Sequence, residues 1–246
     1  MSRIGEAFRN TPPVTKNLIV ANVSIWLISI TVASVSSFPV YRLLGLHPVS
    51  SPYFYPWQFV THMFMHDISR IFHIFFNMWA LWMFGRMLES VWGSRRFLFF
   101  YLVTGLGAAA FHLLVNYLQF ASEIAYLKEA GGGQISLETI SYVFESDTQK
   151  LIACKRSLIT PTVGASGAVY GVLLGFGMLF PNTRLFIIPF PFPIKAKWLV
   201  IGAGVIELVT GITGSNSGIA HFAHLGGMIF GFILIKYWNK FTKNFY

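Results

Sequence analysis

Residues 163–171 read Val-Gly-Ala-Ser-Gly-Ala-Val-Tyr-Gly, so that one serine stands among glycines and apolar side chains. The run opens an apolar segment, 163–180, in which Gly167, Gly171 and Gly175 repeat at a spacing of four. Small residues at this spacing give a helix a smooth face that packs closely on another helix. The run differs from the nucleophile elbow of soluble hydrolases, which requires a glycine two residues after the serine. A polar side chain inside an apolar segment therefore needs another explanation.

Two interpretations of Ser166 are open at this point. A serine in an apolar helix commonly forms a hydrogen bond back to its own backbone and has no chemical role. Alternatively, Ser166 is a candidate nucleophile, because Gly164 and Gly167 flank it and leave its hydroxyl uncrowded. A serine hydroxyl attacks poorly until a base removes its proton, so this second interpretation requires a partner elsewhere in the chain.

Apolar segments extend on both sides of this run. Of the 246 residues, 54% are hydrophobic and 11% are charged, the mean hydropathy is +0.60, and soluble domains carry about 25% charged residues. A bilayer can cover this much apolar surface, and a spanning helix needs about 20 apolar residues. The sequence therefore predicts an all-α polytopic membrane protein with a single membrane domain, 1–246, and six transmembrane helices. The predicted segments are 18–38, 72–91, 97–120, 163–180, 198–214 and 219–238.

The distribution of charge predicts the orientation of these helices. Cytoplasmic segments of membrane proteins carry an excess of Lys and Arg. With the N-terminus inside, the inner segments hold 12 of the 18 Lys and Arg residues, and the six outer ones are accompanied by six acidic residues. We therefore expect cytoplasmic ends at 1–17 and 239–246. Because the basic residues lie in short groups between apolar segments, the net charge of +9 does not indicate a nucleic-acid partner.

Two connections on the outer side are long. Residues 39–71 are rich in aromatic residues and proline, which is typical of an element that lies at the lipid headgroups. Residues 121–162 form a long polar connection. This connection shapes substrate access, holds a partner or is a tolerated insertion, and we favour the last of these three interpretations.

A partner for Ser166 occurs in the sixth segment, where His221 and His224 are followed by Gly227 and Gly231. The positions 224, 227 and 231 are spaced i, i+3 and i+7, so they share one helix face. That face lacks bulk, and it can press against the glycine face of the fourth segment and bring His224 within hydrogen-bond reach of Ser166. A neutral imidazole can act as the base near pH 7. The alternative is a packing histidine that bonds to a backbone carbonyl.

A third polar group comprises His62, His66, His73 and Asn77. His73 and Asn77 are four residues apart and share one face of the second helix. Acyl transfer requires donors aimed at the developing oxyanion, and a His N–H, an Asn amide and the backbone N–H of Ser166 are suitable. By the predicted topology, this group shares the outer half of the membrane with the serine of the fourth segment and the histidine of the sixth.

A metal site is the alternative use of these histidines. His62-x-x-x-His66 and His221-x-x-His224 have spacings that metal ligands adopt. Membrane di-iron oxygenases need more histidine ligands than these clusters supply, since the chain has seven His in all. We therefore expect no metal.

In their order and spacing, these residues resemble the rhomboid family of intramembrane serine proteases, of the bacterial type with a six-helix core. The resemblance runs from about Pro56 to Gly231 and is specific because several modest motifs occur in the same order. The motifs are the runs Pro56–His66, His73–Trp82, Glu89–Phe97, Gly164–Gly167 and Ala223–Gly227.

The resemblance implies a Ser-His dyad without an aspartate, in which Ser166 is the nucleophile and His224 is the general base. It implies that His73 and Asn77 stabilise the oxyanion and that Tyr170 stacks near the catalytic histidine. The implied supporting residues are Gly164, Gly167, Gly227, Gly231 and Glu89. The last is implied to be a structural acid at the inner end of the second helix, for which Arg86 and Arg95 are alternative partners.

The resemblance also implies the substrates and the setting. Rhomboids lie in the lipid bilayer, cleave transmembrane segments of other proteins near the outer membrane face, and need no metal or organic cofactor. We expect a bacterial inner membrane as the location, with the active site towards its outer side. The alternative function is that of a non-catalytic relative that binds membrane clients. Such relatives usually lack the serine or the histidine, and this chain has both.

The resemblance leaves some residues unexplained. The family's Trp-Arg pair in the first outer loop has only Tyr41-Arg42 as a weak counterpart. Glu207 is an acid inside the fifth apolar segment. It either bonds to a neighbouring helix or marks its own helix as a mobile gate, and we favour the first.

Overall fold

The computed structural model describes residues 8–141, 148–186, 192–213 and 220–241. Within those residues the chain is mostly helical, with one short hairpin in which β1 (Arg184–Leu185) pairs antiparallel with β2 (Ile194–Lys195). The helices are α1 (Pro13–Val35), α2 (Val40–Leu44), α3 (Gln58–Thr61), α4 (Ile71–Trp92), α5 (Ser94–Gln119), α6 (Ala121–Ala130), α7 (Leu137–Ser141), α8 (Gln149–Ile159), α9 (Ser166–Leu179), α10 (Ala196–Thr213) and α11 (His221–Phe241).

Each of the six predicted apolar segments overlaps one of the helices α1, α4, α5, α9, α10 and α11, with bounds that differ by up to five residues. Four of these, α1, α4, α5 and α10, are long and apolar enough to cross a membrane. Helix α9 is apolar but has 14 residues, a rise of about 21 Å against a hydrocarbon core of about 30 Å. Six spans therefore stay a prediction. Of the predicted cytoplasmic ends, 1–7 and 242–246 lie outside the described residues.

The outward faces of the long helices are apolar. Phe72 on α4 is 69% exposed and Ile212 on α10 is 71% exposed, and neighbouring large apolar side chains on both helices are exposed as well. Contiguous apolar patches of this kind are unfavourable in water and mark a surface that another apolar phase covers. For helices of this length, that phase is the hydrocarbon of a bilayer.

Helix α9 packs against α5, α10 and α11, and glycines set how closely the helices approach. A Cβ added to Gly227 of α11 would lie 1.9 Å from the carbonyl oxygen of Gly167, so the two backbones are in contact. Beyond this point the predicted pairing of two glycine faces is wrong. Gly171 and Gly175 face side chains of α5 and α4, and Gly231 faces side chains of α5 and α9. Four residues turn a helix about 40° past a full turn, so a stripe at that spacing winds from one neighbour to the next.

The start of α9 differs from the apolar pattern. The pattern begins at residue 163, whereas the helix begins at Ser166. Gly164 has a φ of +133°, a conformation that L side chains rarely adopt, and the chain before it forms an isolated bridge between Leu46 and Thr162. Ser166 therefore lies in the first turn of α9, where backbone N–H groups have no partner inside the helix.

Glu89 fastens the beginning of α1 to the end of α4. Its buried carboxylate accepts hydrogen bonds from the backbone N–H groups of Val14 and Thr15, at 2.9 and 2.7 Å. The hydroxyls of Thr15 and Ser94 donate at 2.8 and 2.7 Å. A carboxylate is favourable there because the N-terminus of a helix carries unpaired N–H groups and a partial positive charge. The main partner of Glu89 is thus the N-terminus of α1 and not Arg86 or Arg95, the partners considered from the sequence.

The two long connections contain helices and touch each other. Residues 39–71 include α2 and α3, and residues 121–162 include α6, α7 and α8, which share a small apolar core. The carbonyl oxygen of Leu158 accepts hydrogen bonds from the Ser51 hydroxyl at 2.6 Å and from the His47 ring at 3.2 Å. The longer connection is therefore fixed to the shorter one immediately before the chain reaches Ser166.

Candidate active site

Ser166 and His224 are joined by a hydrogen bond. The distance from Ser166 Oγ to His224 Nε2 is 2.8 Å, and the imidazole is buried. The serine lies in the first turn of α9 and the histidine in the first turn of α11, and the close contact of Gly167 with Gly227 brings those two turns together. When Nδ1 carries the ring proton, Nε2 accepts the hydroxyl proton, which is the arrangement that activates a serine.

The ring of Tyr170 covers one face of His224. Their ring centroids are 4.2 Å apart and the planes are inclined by 4°. Tyr170 follows Ser166 by four residues, so both project from the same face of α9. The stacking restricts rotation of the imidazole and keeps Nε2 directed at the serine.

Glu207 of α10 lies next to Nδ1 of the His224 ring, away from the nitrogen that faces Ser166. Its Oε1 is 3.0 Å from His224 Nδ1, a contact that lacks the N–H alignment of a full hydrogen bond. The Tyr170 hydroxyl donates to the same oxygen at 2.5 Å, and His221 Nδ1 lies 2.6 Å from Oε2. The carboxylate thus bonds to two neighbouring helices, as we favoured from the sequence. Its place at the site was not predicted, although the presence of an acid inside an apolar segment was the available signal.

His73 borders the backbone that precedes Ser166. A Cβ added to Gly164 would lie 2.9 Å from His73 Nε2 and 3.5 Å from Ser166 Oγ, so this glycine leaves open the space between the two side chains. Asn77 lies one turn further along α4, and its Nδ2 donates to the carbonyl oxygen of His73 at 2.8 Å. That bond uses one of the two amide hydrogens and leaves the other for a second acceptor.

His62 and His66, the remaining histidines of the third polar group, contact neighbouring residues of the fold. His62 Nδ1 lies 2.7 Å from the carbonyl oxygen of Gln58, and the His66 ring packs 5.2 Å from that of His73. Burial lowers the pKa of His62 to about 4, and burial together with the nearby His73 lowers the pKa of His66 to about 3. Within the residues that the structure describes, no three His, Cys, Asp or Glu side chains are grouped to hold a metal ion.

A small cavity adjoins the serine. It has a volume of about 10 Å³ and is lined by His62, Thr162, Gly164, Ser166 and other small or apolar residues. That volume is close to the space that one water molecule requires. The site can therefore hold a small polar molecule next to the Ser166 hydroxyl while the surrounding helices exclude bulk solvent.

A comparison with protein families gives a match over most of the chain. A family model described as a rhomboid domain matches residues 54–240. The chain belongs to the rhomboid family. This rhomboid is accordingly an integral membrane protein, and its matched region includes the candidate serine, histidines and glutamates.

Three relatives illustrate how far the similarity extends. Rhomboid protein 1, mitochondrial, from Saccharomyces cerevisiae is 26% identical over 172 residues, which are 70% of this chain and 39% of that protein. Rhomboid protease AarA from Providencia stuartii is 26% identical over 181 residues, 72% of this chain and 54% of that protein. RHOMBOID-like protein 12, mitochondrial, from Arabidopsis thaliana is 31% identical over 172 residues, 68% of this chain and 42% of that protein. This rhomboid thus spans from 39% to 54% of the length of these relatives.

Proposed function

We propose that this rhomboid is a serine endopeptidase that cleaves transmembrane segments of other proteins inside the bilayer. The observation that carries the proposal is the 2.8 Å hydrogen bond between Ser166 Oγ and His224 Nε2 within a bundle of apolar helices. A serine with only a structural role commonly bonds to a backbone carbonyl of its own helix, as Ser29 does to Ile25 at 2.8 Å. Ser166 is directed instead at a base on another helix.

In the proposed reaction, Ser166 attacks the scissile carbonyl carbon while His224 Nε2 takes the hydroxyl proton. The tetrahedral intermediate collapses when the same nitrogen gives that proton to the leaving amine, and an acyl-enzyme remains on Ser166. A water molecule then attacks the ester and gives a proton to His224 Nε2. The ester bond breaks as that nitrogen returns the proton to Ser166 Oγ, and the new carboxyl end is released. General base catalysis of this kind contributes about 10² to 10⁴ in rate.

His73 and Asn77 are the proposed oxyanion donors, together with the backbone N–H of Ser166. Support comes from the ring of His73 beside the open Cα of Gly164 and from the unused amide hydrogen of Asn77. Donors placed before the reaction stabilise the negative charge that develops on the carbonyl oxygen, and a single such donor contributes about 10² to 10³ in rate.

We further propose that the site lies below the outer membrane face and that both termini are cytoplasmic, in a bacterial inner membrane. The excess of Lys and Arg in the connections on one side supports the orientation. The shortness of α9 supports the depth: with its C-terminal end at the inner boundary, a rise of about 21 Å leaves its N-terminal serine several ångströms inside a core of about 30 Å. A substrate helix would have to unwind locally to present its backbone there.

The test is cleavage of a model transmembrane substrate by the purified protein in proteoliposomes. We expect the parent chain to cut the substrate and Ser166→Ala to lose at least about a thousandfold in kcat/KM. Ser29→Ala is the matched control, because Ser29 is a serine in another apolar helix of the bundle. It should cut like the parent.

Two outcomes would contradict the proposal. Equal cleavage by the parent and Ser166→Ala would remove Ser166 as the nucleophile. Binding of the substrate without cleavage, by a folded parent chain, would favour the non-catalytic client-binding alternative.

A further inference from the structure

The carboxylate of Glu207 lies behind the proposed base, on the side away from the nucleophile. Ser166 Oγ is 2.8 Å from Nε2 of the His224 ring, and Glu207 Oε1 is 3.0 Å from Nδ1. We infer that Glu207 is a positioning residue for His224, so that Ser166, His224 and Glu207 form a serine-histidine-carboxylate triad. The inference rests on the proposed function and adds to the dyad a third member from α10.

The position of this carboxylate is fixed by groups other than His224. His221 Nδ1 lies 2.6 Å from Oε2, and the hydroxyl of Tyr170 donates to Oε1. The side chain is buried and receives these contacts from two different helices, α11 and α9. Glu207 is therefore held beside Nδ1 before any substrate arrives, which is the requirement for a group that orients a base.

The first consequence concerns the tautomer of His224. Nε2 can accept the serine proton only when the ring proton resides on Nδ1. An anionic oxygen 3.0 Å from Nδ1 favours the proton at that position. In serine hydrolases with a triad, the carboxylate keeps the imidazole in this tautomer and orientation without taking up a proton itself.

The second consequence concerns charge. When Ser166 transfers its proton to Nε2, His224 becomes an imidazolium with a proton on each nitrogen. The negative charge of Glu207 then stabilises the positive ring in surroundings of low dielectric constant, where such interactions are strong. The proton later passes from Nε2 to the leaving amine, and Glu207 stays ionised throughout.

Glu207 could instead act only as an anchor that holds α10 to its neighbours. Its bonds to Tyr170 and His221 suit that role, but they do not require an oxygen to face Nδ1 of the proposed base. The two roles differ in measurable ways, because an anchor contributes to stability alone. A positioning residue also affects how fast Ser166 reacts and how that rate depends on pH.

Other charged groups near His224 have to be kept constant in the test. His73 of α4 and His112 of α5 lie within electrostatic range of His224, and His221 and Tyr170 contact the carboxylate directly. A substitution confined to Glu207 leaves all four in place. Glu207→Gln preserves the shape of the side chain, removes its charge and replaces one acceptor oxygen with an N–H₂ donor.

The experiment measures the rate of fluorophosphonate labelling at Ser166 against pH for the full chain in proteoliposomes. A phosphonylating probe reports the activated serine without needing an identified substrate. We expect Glu207→Gln to lower the plateau rate by about tenfold or more. The labelling rate should fall on the acidic side of the profile, and we call this fall the acid limb. We expect its midpoint to move down by about one pH unit in Glu207→Gln, since a neighbouring carboxylate favours the protonated ring and its removal disfavours it.

Glu89→Gln is the matched control, because Glu89 is also a buried carboxylate in an apolar helix. It should lower thermal stability while leaving the acid limb where the parent has it. An unchanged plateau and an unchanged acid limb in Glu207→Gln would overturn the inference and leave Glu207 as an anchor.

If Glu207→Gln fails to fold, the labelling profile of Glu207→Asp tests the inference in its place. The aspartate keeps the charge but ends one methylene short of Nδ1, so the acid limb should move by less than in a neutral variant while the plateau falls. A parental plateau in folded Glu207→Asp would overturn the inference. Failure of the proposed function is distinguishable, because then the parent chain itself would not be labelled at Ser166.

Discussion

Glu89 and Glu207, the two buried carboxylates among the residues that the structure describes, have different surroundings. Glu89 is 2% exposed and accepts hydrogen bonds from two backbone N–H groups and two hydroxyls. Glu207 is 6% exposed and faces a tyrosine hydroxyl and two imidazoles. Along α4, the Glu89 end lies about 24 Å from the His73 end, which borders the serine.

The difference separates structural acids from functional ones. The partners of Glu89 keep their protons at every pH at which the protein is folded, so its bonds only join α1, α4 and α5. The partners of Glu207 include rings that gain and lose protons. A buried charge surrounded by titratable groups is a mark of a functional site, whereas one surrounded by backbone donors stabilises the fold.

The largest expected effect on stability comes from a substitution at the contact between α9 and α11, beside the site. Gly227→Ala should lower the free energy of unfolding by about 3 kcal/mol, because its Cβ would meet the carbonyl oxygen of Gly167 and force α9 and α11 apart. Denaturation in mixed detergent micelles measures this. Gly202→Ala is the control, since a Cβ there has no atom within 4 Å. Equal stability of Gly227→Ala and the parent would show that the site end does not depend on this contact.

The next largest effect is at the opposite end. Glu89→Gln should destabilise the fold by about 2 kcal/mol, because the amide keeps one acceptor oxygen and turns its N–H₂ group towards two of the four donors. Cleavage per folded molecule should stay at the parental level. Thermal unfolding with a parallel cleavage assay tests both statements. A loss of cleavage without a loss of stability would contradict the assignment of Glu89 as a structural acid and Glu207 as a functional one.

The smallest effect concerns the hydroxyl that links the two sides of the site. Tyr170→Phe keeps the ring stacked on His224 but loses the hydrogen bond to Glu207, at a cost of about 1 kcal/mol in stability. Activity should fall only a few-fold, because the His221 contact still holds the carboxylate. Tyr170→Leu removes the stacking as well and should reduce activity further. Identical activities for the two variants would exclude a role for the stacked ring.

The sequence predicted the pairing of Ser166 with His224 because each lies beside glycines that permit close helix contact. The detailed contact could not be predicted, since a stripe of glycines winds around its helix and only Gly167 meets Gly227. The partners of Glu89 escaped prediction for another reason. The two backbone N–H groups of α1 lie 74 and 75 positions away along the chain, and periodicity does not indicate which helix ends meet.

Glu207 shows the same limit at the site. The free-energy cost of a carboxylate inside an apolar helix indicated that it has partners. Which partners it has depends on how α10 is rotated towards its neighbours. The helices within 121–162 were also missed, because their apolar residues are few and lie between polar ones. The resemblance to rhomboids covers the site residues, and it does not account for this glutamate.

The central claim, that Ser166 is a nucleophile activated by His224, is tested most directly by mapping a fluorophosphonate adduct on the intact protein by mass spectrometry. The account predicts a single adduct on Ser166 that disappears in folded His224→Asn. An adduct that forms equally well without the histidine, or no adduct on Ser166 in the folded parent chain, would contradict it.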